Sequence, residues 1–220
     1  QGINSQIKKN QKRIVFTDGE DENTLKAAIA FKKNGLGIPI LLAKEKVVKK
    51  RLKEIGYSEN FDIEIVNSKS KEKIEKYSKY IFNKLHGDKG ELEPDVFELY
   101  SRDCNKLIRK DRVVWGSCMV SCGDVDAMVT GNTRRYGQSL DKVLKVVNSR
   151  PGEIMFGLNM IINKGRTIFI GDTSVHEYPT SAQMAEIAIS AARVVRLFGF
   201  NPKVAFLSHS TFGQPITSRT

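Results

Sequence analysis

Short apolar blocks alternate with longer amphipathic stretches through most of this chain. Arg13 to Thr17, Ile38 to Ala43 and Asp62 to Val66 read as strands. Between them, residues 22–33 place Leu25, Ala28, Ile29 and Phe31 at helical spacing, and residues 44–55 do the same up to Gly56. Gly35 and Gly37 stop the first of these helices. A β-α-β-α-β order predicts a parallel sheet with right-handed crossovers. Ser70 to Leu85 carries Ile74, Tyr77, Ile81 and Leu85 on one helical stripe, and residues 86–94 read as a loop. Asp111 to Cys122 predicts a helix, Asp126 to Thr130 a strand, and Tyr136 to Val147 another helix. Ser149-Arg150-Pro151-Gly152 then punctuates the chain. Beyond it, residues 154–162 and 167–170 flank Asn163-Lys164-Gly165-Arg166, which suits an antiparallel hairpin. Thr180 or Ser181 caps a helix reaching Phe198, with Met184, Ile187, Ala188, Ala191, Val194 and Val195 on its apolar stripe. Lys203 to Leu207 predicts a last strand. The expected fold class is α/β: a polar linker at 1–12, a first lobe at 13–150 with helices on both faces of a parallel sheet, and a second α/β lobe at 151–220. The second lobe reads as incomplete, cut short on its C-terminal side.

Composition adds little to this and excludes more than it suggests. At 220 residues, with 40% hydrophobic and 28% charged positions, the chain has the makeup of a globular protein with a sizeable core. No stretch approaches the roughly 18 apolar residues that a membrane span needs. The chain opens on Gln1 without an apolar leader core, and the expectation is a fragment or trimmed module of a longer protein. Three cysteines make a disulfide framework a poor reading. Cys118 and Cys122 lack the second ligand pair of a zinc site, so they read as reduced thiols in a core helix, without metal, in a cytoplasmic protein. The net charge is +11. Much of it lies in lysine-rich helices that alternate with Glu, and solvated helix faces account for it. No zinc finger, RNP aromatic pair or arginine-rich arm is present, so the basic excess is not read as nucleic-acid binding.

The candidate chemistry lies where strands end. Asp126-Ala127-Met128-Val129-Thr130-Gly131 runs into Asn132-Thr133-Arg134-Arg135-Tyr136. Ile168-Phe169-Ile170-Gly171 runs into Asp172-Thr173-Ser174-Val175-His176-Glu177, and Val204 to Leu207 into Ser208-His209-Ser210-Thr211-Phe212-Gly213. Such endings deliver hydroxyls and backbone N–H groups to the carboxyl edge of a sheet, where ligands of open α/β folds sit. Three of them predict one shared cleft between the lobes. Gly131 lets the backbone approach a ligand, the next helix start offers an anion site, and Arg134 or Arg135 suits a bidentate phosphate contact. Asp18-Gly19-Glu20-Asp21 has one glycine, so it is neither a P-loop nor a dinucleotide fingerprint. It reads as carboxylates favouring a helix dipole. The Asp172–Glu177 run holds the tight His–carboxylate pairing, which is more often structural than catalytic. Ser208, His209 and Ser210 form no evident triad.

Together these segments resemble the phosphate acetyl/butyryl transferase family, whose strand ends read D-x-x-V-[ST]-G, D-T-x-V and L-S-x-S-T-x-G. The closer likeness is to the transferase-like C-terminal module of NADP-dependent malic enzymes. It is carried by Val125 to Tyr136, Gly165 to Phe169, Asp172 to Glu177 and Leu207 to Gly213. The resemblance covers roughly residues 11–220. It implies a phosphotransacetylase-like fold of the isocitrate/isopropylmalate dehydrogenase type. It implies acyl transfer between coenzyme A and phosphate, with coenzyme A or acetyl-CoA as substrate or effector. Thr130, Gly131, Thr133, Arg134, Asp172, Thr173, Ser208, Ser210, Thr211 and Gly213 are the implied ligand-binding residues, and no catalytic residue is assigned. Two departures matter. Asp141 stands where the transferases carry an arginine in a T-V-R-P context, and the late N-D-L-S-R-G-type segment is not in these 220 residues. Residues 87–99 fit the family poorly and read as an insertion. The expected function is a regulatory, acyl-CoA-sensing module of an NADP-dependent malic enzyme (malate to pyruvate and CO2), weak or inactive alone. Its expected partners are acetyl-CoA, phosphate, further copies of itself and an upstream malic enzyme domain. The alternatives are a fragment of a working phosphate acetyltransferase and a structural dimerisation module without ligand.

Overall fold

The computed structural model describes residues 7–58, 61–87 and 94–207. The chain divides into two compact units, Gln1–Asn148 and Ser149–Thr220. In the first unit β1 (Arg13–Phe16), β2 (Ile38–Leu42), β3 (Glu64–Val66) and β4 (Ala127–Val129) form one parallel sheet in the order β3-β2-β1-β4. Val15 lies opposite Ile40 on one side and Met128 on the other. Helices α1 (Glu22–Lys33) and α2 (Glu45–Glu54) connect the first three strands. Helices α3 (Lys71–His86), α4 (Pro94–Lys110) and α5 (Arg112–Ser121) lead from β3 to β4, and α6 (Tyr136–Leu144) follows.

The strands are apolar on both faces because both are covered. Alternate side chains of β1 and β2 feed two cores. Val15, Ile40 and Leu42 pack with Ile74, Tyr77, Ile81, Ile108, Trp115 and Cys118 from α3, α4 and α5. Phe16 and Leu41 pack with Leu25, Ala28, Ile29, Val48 and Leu52 from α1 and α2. The Tyr77 and Trp115 rings meet edge to face at 5.1 Å. Helix α5 approaches the sheet closely at Gly116, where an added Cβ would lie 2.6 Å from the Thr17 methyl and 2.7 Å from Met128 Sδ. Cys104 and Cys118 are buried free thiols, and burial pushes Cys118 up to about 12.

In the second unit β5 (Leu158–Asn163) and β6 (Arg166–Gly171) pair antiparallel. Lys164 and Gly165 both take positive φ, 46° and 77°, the geometry of a two-residue turn whose twist matches its strands. Helix α7 (Ser181–Leu197) starts in a capping box, with Thr180 and Gln183 satisfying each other's backbone N–H. It packs on the hairpin through Phe198, whose ring lies 5.8 Å from that of Phe169. Arg193 pairs with Glu153 at 2.9 Å.

The α/β class and the parallel sheet agree with the sequence pattern. Helix α4 fills residues 94–110, most of which the pattern assigns to no element. Lys203 to Leu207 is not a strand: its backbone has no ladder partner among the described residues, and Val204, Phe206 and Leu207 are exposed. The strand end before Gly131 belongs to the four-stranded sheet, and the one at Gly171 to the separate hairpin. No helix among the described residues is long and apolar enough to cross a membrane.

Candidate functional site

The strand order β3-β2-β1-β4 reverses direction beside β1, so the chain leaves β1 and β4 toward opposite faces of the sheet. The crevice outside their carboxyl ends is the topological switch point at which open α/β sheets bind ligands. Thr17 follows β1 and Thr130 follows β4. The Thr17 hydroxyl donates to Thr130 Oγ1 at 2.7 Å, which leaves Thr130's own proton for another acceptor. Gly131 then turns the chain with φ of 97°, a conformation that costs a residue with a Cβ far more than it costs glycine.

Carboxylates hold the turn that follows. Asp18 accepts the Asn132 backbone N–H at 3.1 Å and the Thr133 hydroxyl at 2.6 Å. Asp21 caps α1 by accepting Thr24 N–H at 2.8 Å, and also accepts Asn132 Nδ2 at 2.6 Å. The Thr24 N–H is the main reason its carboxyl sits below the ordinary range. Asp111 caps α5 through the Val113 N–H at 2.9 Å, and both of its oxygens accept Arg134 Nη1, at 3.0 and 2.9 Å. Lys142 Nζ lies 3.9 Å from the same carboxylate. Beside the turn, in the first turns of α6, Ser139 is only 5% exposed and its Oγ has no partner among the described residues. That oxygen lies 3.7 Å from where a Cβ on Gly131 would sit. A buried hydroxyl without a partner is a costly feature that a bound ligand relieves.

A second cluster forms after β6. Asp172 Oδ1 accepts backbone N–H groups of Gly157, Ser174 and Val175 at 3.0, 3.2 and 3.1 Å. Its Oδ2 accepts the His176 backbone N–H at 3.0 Å and the ring Nδ1 at 2.7 Å. Burial would raise this carboxyl, and the His176 ring with the N–H groups of Val175, Gly157 and Ser174 outweighs it, bringing the pKa to about 2. Gly157 makes room for the group: a Cβ there would come within 3.1 Å of Asp172 Oδ1. Asn159 Nδ2 donates to the Thr173 hydroxyl at 2.7 Å, and Ser174 Oγ lies 3.2 Å from that hydroxyl.

Of the residues picked from the sequence, Thr130, Gly131, Thr133 and Arg134 thus lie together at the switch point. Asp172 and Thr173 lie together in the second unit. Ser208, Ser210, Thr211 and Gly213 lie outside the described residues. Two roles change. Arg134 is not a free guanidinium offered to phosphate through Nη1, because that nitrogen is engaged by Asp111. Asp172 has both oxygens occupied by its own loop, so it shapes the loop rather than presenting itself. Asp18, Asn132 and His176, which the sequence places in the same strand-end runs and acidic turn but not among the ligand-binding residues, complete the two clusters with Asp111 and Ser139, which carry no signal of this role in the sequence. The Asp18–Asp21 turn was visible as acidic residues after a strand. Its partners were not, since they lie more than a hundred residues away. Among the described residues, no group of three or more His, Cys, Asp and Glu converges as a metal site would require.

The parallel sheet and its helices on both faces define an α/β protein, and the family is specific: this chain belongs to the phosphate acetyl/butaryl transferase family, whose model matches residues 1–220. Its relatives are of two kinds. An NADP-dependent malic enzyme of Rhizobium meliloti (strain 1021) is 35% identical over all of this chain, which covers 28% of that protein. A phosphate acetyltransferase of Nitratidesulfovibrio vulgaris is 30% identical over 93% of this chain, which again covers 28% of it. The chain therefore spans a little over a quarter of the length of these relatives. Among solved structures, a phosphotransacetylase from Streptococcus pyogenes superposes with a TM-score of 0.82 at 25% identity. The alignment covers 99% of this chain and 63% of that one.

Proposed function

We propose that this chain is a ligand-sensing module of malic enzyme type that binds acetyl-CoA, and phosphate more weakly, without turning them over at a useful rate. The observation that carries this reading is the 35% identity to a malic enzyme over all of the chain, against 30% over 93% of it to a phosphate acetyltransferase. A domain appended to a longer enzyme suits regulation. Three further features support it. Asp141, exposed on α6, stands where the transferases carry an arginine, and loss of such a cation from a transition state costs about 100- to 1000-fold. The turn after Gly131 is tied to carboxylates, so its cation is neutralised. The groups left for a ligand are the Thr130 and Ser139 hydroxyls and the backbone N–H groups at the start of α6, a set suited to an acyl carbonyl or thioester oxygen more than to a dianion. The similarity to phosphate acetyltransferases favours the second reading, a working transferase.

Two measurements separate the readings. Calorimetry with acetyl-CoA should show binding that weakens about tenfold in Arg134→Ala, because the turn loses its anchor to Asp111. An acetyl phosphate plus coenzyme A assay on the same chain should show little turnover. Robust turnover establishes the transferase reading, and absence of acetyl-CoA binding removes both.

A further inference from the structure

Thr17 fixes which way a hydroxyl proton points at the Gly131 turn. Thr17 is fully buried, and the Thr130 oxygen is the one acceptor of its hydroxyl among the described residues. If Thr130 donated instead, the Thr17 proton would be buried without a partner, which costs more than the bond gains. The bond therefore runs from Thr17 to Thr130. The Thr17 backbone is held by its N–H to the Val129 carbonyl at 3.1 Å. Its methyl lies in the space that Gly116 leaves free, 2.6 Å from where a Cβ would sit, and a β-branched side chain packed in this way keeps one rotamer. Thr130 is only half-buried, and its own proton has no acceptor on the protein among the described residues. Next to Gly131, Ser139 Oγ is buried and has no partner among the described residues.

A hydroxyl whose oxygen already accepts a bond offers its proton first. Thr130 and Ser139 thus suit a neutral acceptor with two lone pairs, which is a carbonyl oxygen. A thiol fits poorly, being a weak donor and a weak acceptor. A phosphate seeks a cation, and Arg134 of this turn is paired with Asp111. We propose that Thr17 is a positioning residue that makes the turn select an acyl thioester over the free coenzyme A thiol, with the thioester carbonyl accepting from Thr130 and Ser139. The proposal rests on the coenzyme A reading given above and adds what the site distinguishes, an acylated carrier from an unacylated one. No covalent bond is made or broken. Thr17 itself touches no ligand. Without its proton the Thr130 oxygen has both lone pairs free, so it can also accept a thiol S–H, and the preference for a carbonyl weakens.

Three ligands on the unaltered chain isolate the carbonyl: acetyl-CoA, free coenzyme A, and S-ethyl coenzyme A, which matches acetyl-CoA in length but lacks the carbonyl oxygen. Calorimetry should show acetyl-CoA binding about thirtyfold more tightly than either of the others, the worth of two neutral hydrogen bonds. Thr17→Val keeps the shape and removes the proton, and should bring that ratio down to about fivefold. Thr17→Ser keeps the hydroxyl and should retain the ratio. Thr130→Val leaves Thr17 packed against Gly116 and should lower the ratio as Thr17→Val does, so it decides the matter if Thr17→Val does not fold. A residue that served only the fold would change the affinity for all three ligands by one factor. Such a uniform change, a ratio unaltered in the valine variants, a ratio lost equally in Thr17→Ser, or an unaltered chain that does not prefer acetyl-CoA to S-ethyl coenzyme A overturns the proposal and leaves the coenzyme A reading intact. Failure to bind any of the three overturns both.

Discussion

Ser139 and Asp172 show how differently two buried polar side chains act. Ser139 Oγ sits beside Gly131 with no partner among the described residues, and an unmatched buried hydroxyl costs about 1–3 kcal/mol. Ser139→Ala should therefore leave urea stability unchanged or raise it by about 1 kcal/mol, while acetyl-CoA affinity falls about tenfold in calorimetry. Loss of stability with unchanged affinity would show that the hydroxyl serves the fold instead. Asp172 is the opposite case, with every lone pair engaged. Its pKa is about 2 in the folded protein against an ordinary 3.8. The stabilisation is thus present above about pH 4 and is lost as the pH falls toward 2, on the order of 2 kcal/mol. Asp172→Asn should lose on the order of 2 kcal/mol at pH 7 and almost nothing at pH 2, read from chemical denaturation at each pH. Asp124 adds to the acid sensitivity in the first unit. Burial works to raise it, and Lys76, Tyr77 and Lys73 bring it down to about 2. Ser139 could not be told from the sequence, where it is one polar residue in a helix, whereas the pairing of Asp172 with His176 was legible there and only its backbone partners were not.

Helix boundaries were readable because caps are local. Asp21 before α1, Asp111 before α5 and Thr180 before α7 each accept an N–H two or three residues on. What a cap does besides capping was not readable. Asp111 also holds Arg134, 23 residues away, and so connects α5 to the turn that enters α6. Two substitutions separate these duties. Asp111→Ala removes cap and pair together and should cost about 2–3 kcal/mol in urea denaturation. Asp111→Asn keeps a good cap, so it should recover about 1 kcal/mol of that loss while still leaving Arg134 without a carboxylate. If both variants lose the same stability, the cap contributes nothing here. Helix α4 was missed for a different reason. A proline and a run of charged residues obscure its start, and its apolar positions make sense as a helix only once α3 and α5 lie beside it.

The two units differ in how completely they cover their apolar surface. The first buries its sheet on both faces. The hairpin of the second leaves Ile161 and Ile168, direct cross-strand neighbours, exposed on one face, and Ile189 and Leu197 are exposed on α7. Uncovered apolar faces of this kind promote association. Sedimentation velocity of the 220-residue chain should show concentration-dependent self-association, which Ile161→Thr with Ile168→Thr reduces. A single monomeric species across concentrations would show that the face tolerates water unaided.

Periodicity alone determined the α/β class, the parallel order of the first strands, the hairpin turn and most element boundaries, because these depend on residues a few positions apart. The hydroxyl and glycine residues after β4 and β6 were legible as strand ends too, since an apolar run that stops at such residues marks where a strand leaves its sheet. Only the tertiary structure decided their partners. It set Thr133 against Asp18, Arg134 against Asp111 and Gly157 against Asp172, and it left Ser139 and His176 Nε2 without hydrogen bonds to protein among the described residues. A linear pattern records whether a side chain is buried, since burial repeats with the geometry of its own element. Which polar groups satisfy one another depends on distances between segments far apart in sequence, and those exist only once the sheet has formed.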